Sequence, residues 1–312
     1  MGHILSAEQF DPNSLNDIFE RTYELANLDR RELIDRHIGS QLITFFYASS
    51  TRTRISFELA ARSMGVGVTS VPDAEDTSSV FKGETIEDTA RVLNNYEADI
   101  VVMRTKVEGD TAKAAAASDY TSIINGGDGS GEHPTQALLD AYTIQDEFGG
   151  LDGLNIVFGG DLRRGRTVRS LTKLLANFGG NQFKFVSIPE LQIGQDIKNR
   201  LDEHDIEYEE TTDKLSALSD ADVVYWTRLQ SERPIPGVEI TEEIINQFKI
   251  DAAAMEVMPH EAIVMHPLPR DSKHNEIDTA IDHDPRIKMF DQAGNGKLVR
   301  AALIDMILSE EL

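Results

Sequence analysis

The chain has 312 residues, no cysteine, and 54 acidic against 30 basic residues, which give a formal net charge of −24. Without cysteine, disulfide scaffolds, thiolate metal sites and cysteine nucleophiles are excluded. The shortage of Lys and Arg argues against a general nucleic-acid binder, and no run approaches the ~18 apolar residues of a membrane span. We therefore expect a cytoplasmic protein of about two domains, at ~100–200 residues per domain.

The acidic excess leaves two interpretations of the surface open. Dense negative charge is a halophile strategy for staying soluble in salt, and an ordinary acidic cytosolic enzyme explains the same composition. The arginines are clustered in short motifs rather than scattered. The sequence therefore indicates local cationic pockets that bind small anionic ligands.

Strand and helix periods alternate along the chain, which favours α/β architecture with mainly parallel sheets. We expect a first helix capped by Asn13 or Ser14, and a further helix that runs through Ile55, Leu59 and Met64 and stops at Gly65. Strands are expected at 41–46, 66–71, 99–103 and 121–124, and then at 154–158, 183–187, 222–226 and 262–265.

A helix predicted at 134–148 ends at a double glycine, and the alternation restarts after it. Residues 149–153 are therefore the expected boundary between two doubly wound α/β domains, 1–148 and 149–289, each with a mainly parallel sheet. A last helix near 297–308 is expected to pack back on the first domain, which the segment of about 290–312 completes.

The segment Ser49-Ser50-Thr51-Arg52-Thr53-Arg54 lies between a predicted strand and a predicted helix. In open α/β sheets, ligands bind at the carboxyl ends of strands, where free N–H groups and the helix dipole attract anions. Hydroxyl groups and the planar guanidinium of Arg52 add donors that match phosphate oxygens. This pattern predicts phosphate binding, and the alternative is a capped helix with surface arginines.

Arg104 follows another predicted strand, and His133-Pro134-Thr135-Gln136 opens the helix before the boundary. A histidine just before a helix lies near the positive end of the dipole, which favours a neutral imidazole. A neutral imidazole can donate a hydrogen bond to a developing oxyanion. Taken alone, such a histidine is more often a structural cap than a catalytic group.

The segment Gly160-Asp161-Leu162-Arg163-Arg164-Gly165-Arg166-Thr167 nearly matches the nucleotide-binding P-loop pattern, with Arg166 in place of its lysine. A guanidinium replaces that compact charge poorly, and no strand-end aspartate is clearly placed for magnesium. We therefore interpret Arg166, at a helix start, as a ligand for carboxylate or phosphate.

Two further clusters follow predicted strands. In Thr227-Arg228-Leu229-Gln230, a guanidinium and an amide suit a dicarboxylate, and in His266-Pro267-Leu268-Pro269-Arg270 the prolines stiffen a loop whose carbonyls can accept hydrogen bonds. Lys82, in the polar loop 78–83, would by itself pass as a solvent-exposed residue. The run 271–284 is rich in Asp, Glu and His, but its spacing predicts a solvated loop rather than a metal site.

Together these motifs resemble the aspartate/ornithine carbamoyltransferase family over nearly the whole chain. STRTR, the Ser-x-x-x-Lys loop, the arginine after the third strand, HPTQ, GRT, TRxQ and HPLPR all occur. One such motif is weak evidence, but seven together are highly specific.

The resemblance implies a role for each motif residue. The phosphate of carbamoyl phosphate would be bound by Ser50, Thr51, Arg52, Thr53 and Arg104, and its carbonyl oxygen by Thr53, Arg104 and His133. Gln136 and the carbonyls of Pro267 and Leu268 would take the carbamoyl NH2 group. Arg166, Arg228 and Gln230 would bind the two carboxylates of aspartate. Ser78 and Lys82 would reach into the site of a neighbouring subunit in a homotrimer.

The residues expected to act in catalysis are Arg52, Thr53, Lys82, Arg104, His133 and Gln136. The implied reaction is attack of an amine on the carbamoyl carbon, in which positioning and oxyanion stabilisation matter more than a protein nucleophile. The departing phosphate can take the proton of the amine, so no metal or organic cofactor is required. Nucleic acid and membranes are not expected partners, and separate regulatory chains stay an open question.

Three alternatives remain. Ornithine or another amino acid could be the acceptor, although HPLPR and the absence of cysteine disfavour an ornithine enzyme. A non-catalytic phosphate-binding paralogue would not need Lys82, Arg104 and His133. A P-loop ATPase would need magnesium ligands that the sequence does not clearly supply.

Overall fold

The computed structural model describes residues 2–77, 83–229 and 240–312. The helices in these residues are α1 (Pro12–Asn27), α2 (Arg30–Ile34), α3 (Thr51–Ser63), α4 (Ala74–Thr77), α5 (Ile86–Asn95), α6 (Asp110–Ala116), α7 (Pro134–Phe148), α8 (Arg166–Leu175), α9 (Gln195–Glu203), α10 (Lys214–Leu218), α11 (Glu242–Gln247), α12 (Ala252–Val257) and α13 (Met289–Leu308). The strands are β1 (Gln41–Phe46), β2 (Gly67–Val71), β3 (Ile100–Thr105), β4 (Ser122–Asp128), β5 (Asn155–Gly159), β6 (Gln182–Val186), β7 (Tyr208–Thr211), β8 (Val223–Trp226) and β9 (Ile263–Met265).

The first sheet has the strand order β2-β1-β3-β4, and every pairing in it is parallel. The chain passes from β1 outward to β2 and then returns to place β3 on the other side of β1. This reversal creates a topological switch point at the carboxyl ends of β1 and β3, where open α/β sheets bind ligands.

The second sheet has the order β7-β6-β5-β8-β9, again with parallel pairings throughout. Its switch point lies between β5 and β8. Gly160 follows β5 with φ +100°, and a Cβ there would lie 2.0 Å from the carbonyl oxygen of Thr227 after β8. Only glycine therefore permits the two strand ends to approach so closely. The predicted parallel α/β sheets are confirmed.

The chain forms two compact units, Met1–Tyr142 with Ala293–Leu312, and Thr143–Gln292. The expected return of the C-terminal helix to the first unit is confirmed, since most of α13 belongs to that unit. The division between the two units falls within α7. The domain boundary predicted from the sequence lies at the glycines that follow this helix.

The start of α1 differs from the sequence prediction. Asp11, rather than Asn13 or Ser14, is the N-cap, and its carboxylate accepts a hydrogen bond from the Ser14 N–H at 2.8 Å. The Ser14 hydroxyl in turn accepts from the Asp11 N–H, so the two residues form a capping box. Pro12 occupies the first helical turn, which needs no N–H donor.

The helix α3 has an unexpected exposed apolar side. Phe57, Ala60 and Ala61 face the core, whereas Ile55 and Leu59 are 42% and 49% exposed. Met64, which caps the helix at its C-terminus, is buried, and Gly65 follows at φ +78°. The apolar residues of this helix therefore lie on two faces, and only one of them is covered by the chain itself.

The edge strand β7 and the first eight residues of α13 were not predicted. β7 has the sequence Tyr-Glu-Glu-Thr and no buried residue, so it carries no apolar signal.

The run 271–284, predicted as a solvated loop, is partly buried, because Glu276, Ile277 and Ile281 are buried. Within the described ranges, no helix is long and apolar enough to span a bilayer.

Candidate functional site

The phosphate-binding turn predicted from the sequence lies at the switch point of the first sheet. β1 ends at Phe46, and α3 begins at Thr51 after the N-cap residue Ser50. The Ser50 side chain makes no capping hydrogen bond to the helix. The first N–H groups of α3 are thus not capped by Ser50, and such groups attract anions.

The two arginines of this turn have different environments. Arg54 donates to the carboxylate of Glu58 at 3.1 Å and to the Ser70 hydroxyl at 3.0 Å. Burial alone would raise the pKa of Glu58, but hydrogen bonds from Ser70 and Thr44 and the charge of Arg54 lower it overall. Arg52 is exposed instead. Of the two guanidinium groups, that of Arg52 is therefore the one presented to a ligand.

Arg104 lies beside this turn because β1 and β3 pair in register, with Phe46 opposite Arg104. Its carbonyl oxygen accepts a hydrogen bond from the Tyr47 N–H at 2.8 Å, which ties the end of β3 to the turn. Its side chain donates to the carbonyl of Gly126 on β4 at 2.8 Å. Three neighbouring strands thus fix this arginine at the switch point.

His133 precedes α7, and its carbonyl accepts the Gln136 N–H at 2.9 Å. Its imidazole is 4% exposed, and its Nε2 lies 3.4 Å from Oγ1 of Thr53. The starts of α3 and α7 therefore meet, and Thr53, Arg104 and His133 belong to one strand-end cluster. These donor groups can surround a small anion and an adjacent carbonyl oxygen.

The second unit has its own cluster at the β5/β8 switch point. Arg166 is the first residue of α8, and the N-cap residue Gly165 has no side chain to cap the helix. Arg228 follows β8, where the Thr227 N–H and hydroxyl both donate to the carbonyl of Gly159. The sequence-predicted Arg166 and Arg228 thus follow the two strands that flank the switch point.

The loop after β9 is held by buried polar contacts. The Leu268 N–H donates to Nδ1 of His266 at 2.8 Å, and Leu268 has φ +53°, an uncommon conformation for a leucine. Nε2 of His266 lies 2.8 Å from a carboxylate oxygen of Glu276, and both residues are buried. Glu276 is not among the residues predicted from the sequence, and the apolar Ile277 beside it was the only nearby indication that this segment is buried.

Asp271 links this loop to Arg228 electrostatically. Burial would raise the pKa of its carboxyl, but the N–H groups of Lys273 and His274 and the positive charges of His274 and Arg228 lower it overall. Asp271 is therefore held as a carboxylate close to the guanidinium that we expect to bind an anionic substrate.

The P-loop alternative has no support from the geometry of its segment. Asp161, the acidic residue of the loop, is fully buried and is held by Arg164, whose Nε donates to it at 2.7 Å. It also accepts the Arg164 N–H at 3.2 Å. Asp161 thus stabilises the turn before α8. Ser78, Lys82 and Gln230 lie outside the described residues.

Two family models match consecutive parts of the chain. Residues 2–146 match "Aspartate/ornithine carbamoyltransferase, carbamoyl-P binding domain", and residues 152–307 match "Aspartate/ornithine carbamoyltransferase, Asp/Orn binding domain". The first match contains the β1/β3 switch point, and the second contains the β5/β8 switch point.

Similar proteins cover almost the full chain. Chloroplastic aspartate carbamoyltransferase of Oryza sativa is 41% identical over 99% of this chain and 85% of its own length. The aspartate carbamoyltransferase catalytic subunit of Halorubrum lacusprofundi is 39% identical over 98% of this chain and 95% of its own length. The solved catalytic subunit of M. jannaschii aspartate transcarbamoylase has a TM-score of 0.90 and 39% identity, and it covers 99% of both chains. The Trypanosoma cruzi aspartate transcarbamoylase in complex with carbamoyl phosphate has a TM-score of 0.89 and 34% identity, with 97% and 94% coverage.

Proposed function

Because the chain belongs to the aspartate/ornithine carbamoyltransferase family, we propose that it transfers the carbamoyl group of carbamoyl phosphate to L-aspartate. The products are N-carbamoyl-L-aspartate and phosphate, and the reaction is a step of pyrimidine biosynthesis. The enzyme is a transferase, and the motif-based resemblance to the family is confirmed. The observation that carries the proposal is that each of the two switch points has its own cationic ligand set.

The first set suits carbamoyl phosphate. The phosphate binds at the start of α3, to Ser50, Thr51, Arg52 and Thr53. Arg104, His133 and the Thr53 hydroxyl donate to the carbonyl oxygen, where negative charge develops. Removing one such donor typically costs ~10²–10³ in kcat. The proximity of Thr53 to His133, at 3.4 Å, supports this shared role.

The second set suits a dicarboxylate acceptor. Arg166 and Arg228 supply two guanidinium groups, and Gln230 adds an amide. The aspartate amine attacks the carbamoyl carbon, a C–N bond forms, and the bond from carbon to the phosphate oxygen breaks. The amine proton leaves with the phosphate. Ornithine carries an ammonium group where aspartate carries its second carboxylate, so this set disfavours ornithine.

We further propose that the protein is a cytoplasmic homotrimer in which Ser78 and Lys82 enter a neighbouring subunit's site. The exposed apolar residues Ile55 and Leu59 on α3 support association, because a second copy would remove their surface from water. A cyclic trimer is a closed heterologous arrangement, in which each subunit can donate the same loop to the next.

A product assay tests the proposed function. The purified protein is incubated with carbamoyl phosphate and either L-aspartate or L-ornithine, and the carbamoylated product and released phosphate are measured. Carbamoyl aspartate formed in step with phosphate is the expected result. Formation of citrulline would show that ornithine, and not aspartate, is the acceptor. Tight binding of phosphate without any carbamoylated product would identify a non-catalytic paralogue.

A further inference from the structure

Two buried charged residues lie behind the first ligand set. Asp140 is on α7, one helical turn after Gln136, and is fully buried. Arg300 is on α13 and is 3% exposed. Two charged residues so deeply buried are rarely found unless they interact with each other or with other polar groups. The sequence motifs gave no indication of either residue.

Asp140 fixes the orientation of the Gln136 amide. Nε2 of Gln136 donates to Oδ1 of Asp140 at 2.8 Å. A carboxylate has no donor, so only the NH2 side of the amide can face it. The opposite side of the amide is an acceptor. Oε1 of Gln136 is therefore the atom left to meet a ligand, and it can accept an N–H.

Arg300 lies against the first turns of α3. Burial lowers the pKa of the Arg300 guanidinium to about 10, while the charge of Asp140 raises it. Nη1 of Arg300 donates to the Ser56 hydroxyl at 2.6 Å, and the guanidinium lies 5.0 Å from the centre of the Phe57 ring. The Ser56 hydroxyl is also within 2.8–2.9 Å of the carbonyls of Arg52 and Thr53.

Gly296 permits this arrangement. A Cβ at this position would lie 2.8 Å from Nη1 of Arg300 and 3.0 Å from Cδ2 of Leu139 on α7. A shift of the flexible guanidinium would relieve the first contact, and Leu139 would have to yield by a few tenths of an ångström to relieve the second, so the absence of a side chain at Gly296 favours close packing of α13 beside α7. The C-terminal helix thus delivers a cation to the back of the site.

We propose that Asp140 is a positioning residue that makes the site selective for a carbamoyl group over an acyl group without an N–H. This inference rests on the proposed function. Carbamoyl phosphate and acetyl phosphate have the same phosphate and carbonyl groups, but a methyl replaces the NH2. Only carbamoyl phosphate can donate to the fixed Oε1 of Gln136.

The test compares the KM for carbamoyl phosphate with the inhibition constants of acetyl phosphate and inorganic phosphate. In Asp140→Asn, the new side-chain amide can turn either its oxygen or its NH2 group to Gln136, so the Gln136 amide is no longer fixed with Oε1 towards the ligand. We expect the KM for carbamoyl phosphate to rise about tenfold, the loss of one good hydrogen bond. The two inhibition constants should stay within about twofold, since neither inhibitor has an N–H there.

A double-mutant cycle separates this role from general damage. Gln136→Met removes the amide, so adding Asp140→Asn should cause no further loss for carbamoyl phosphate. If instead the two substitutions raise the KM for carbamoyl phosphate independently, so that their fold-changes multiply in the double variant, the inference is overturned. If Asp140→Asn does not fold, Asp140→Ser replaces it, because the shorter side chain no longer holds the Gln136 amide. The same selective loss is then expected.

Asp305→Asn is the matched control, since Asp305 is also a buried carboxylate and lies on the same helix as Arg300. At a temperature where circular dichroism shows it folded, its preference for carbamoyl phosphate should equal that of the wild type. Equal weakening of all three ligands by Asp140→Asn overturns the positioning role. A wild type that forms no carbamoyl aspartate overturns the proposed function itself.

Discussion

Oγ1 of Thr53 lies 3.4 Å from Nε2 of His133, although 80 positions separate the two residues along the chain. Thr53 is in the first turn of α3 and His133 directly precedes α7, so the contact joins the starts of two helices. Both side chains are buried. One hydroxyl and one imidazole are thus held together beside the turn that leads into α3, as the proposed shared role at one carbonyl oxygen requires.

Replacing His133 tests its role as an oxyanion donor. His133→Ala should lower kcat by ~10²–10³, because one donor to the developing charge is lost. Affinity for carbamoyl phosphate should fall much less, since the phosphate ligands remain. Steady-state kinetics and phosphate-release assays measure both. The exposed His204 provides the control His204→Ala. Normal turnover with only reduced thermal stability would identify His133 as a structural cap.

Replacing Arg228 tests the binding of the acceptor. Arg228→Ala should raise the KM for aspartate steeply, because removing one partner of a buried charge pair costs ~2–5 kcal/mol. The KM for carbamoyl phosphate should change little. Arg163→Ala is the matched control in the same unit, since Arg163 is exposed. Equal loss of affinity for both substrates would contradict the assignment of Arg228 to aspartate.

Mixing two inactive variants tests the proposed shared site. Lys82→Ala removes the residue donated by one chain, and Arg52→Ala removes a phosphate ligand of the receiving chain. Trimers dissociated and remixed from the two variants should regain activity, because some subunit interfaces then combine an intact loop with an intact phosphate turn. Each variant remixed with itself is the control. Mixed trimers, verified by mass, that stay inactive would disprove sharing.

The net charge of −24 predicts a dependence of stability on salt. Carboxylates on the surface repel one another, and the Debye length falls from ~10 Å at 0.1 M to ~3 Å at 1 M salt. The melting temperature should therefore rise with chloride concentration. The same screening should raise the KM values of both anionic substrates. A melting temperature that is flat or falls up to molar chloride would count against a halophile-type surface.

The buried carboxylate of Asp305 predicts a dependence of stability on pH. It pairs with Arg21, Arg36 and His37, with 2.6 Å from His37 Nε2 to Oδ1. Burial alone would raise the pKa of Asp305, but hydrogen bonds from these three residues lower it well below its ordinary value. A depressed carboxyl pKa stabilises the fold above the unfolded-state pKa of ~3.9, and this contribution is lost as pH falls below that value.

Asp305→Asn should therefore lower the free energy of unfolding by ~1–3 kcal/mol at pH 7, because partly buried donors lose their charged acceptor. The difference from the wild type should shrink at pH 3, where the wild-type carboxylate contributes less. Urea unfolding at the two pH values measures it. If the free energies of unfolding of wild type and variant differ equally at pH 7 and pH 3, the charge of Asp305 does not contribute to stability.

The α/β architecture and the position of the motif residues at strand ends could both be predicted from the sequence. The strand predicted at 41–46 matches β1 (Gln41–Phe46) residue for residue, and the helix predicted at 134–148 matches α7. Apolar runs bounded by glycine report burial locally, and motifs that follow such runs must lie at the carboxyl edge of a parallel sheet. The roles assigned to the motif residues stay predictions.

The contacts between groups far apart in the chain could not be predicted from the sequence. Nothing near Gln136 in the sequence indicates that Arg300 lies behind it, and nothing in the acidic run indicates that Glu276 faces His266. The exposure of Ile55 and Leu59 was equally hidden, because an apolar helical residue reads the same whether its own chain or a partner covers it. Periodicity records that a residue is apolar or charged, whereas its contacts depend on how elements far apart in the chain pack together.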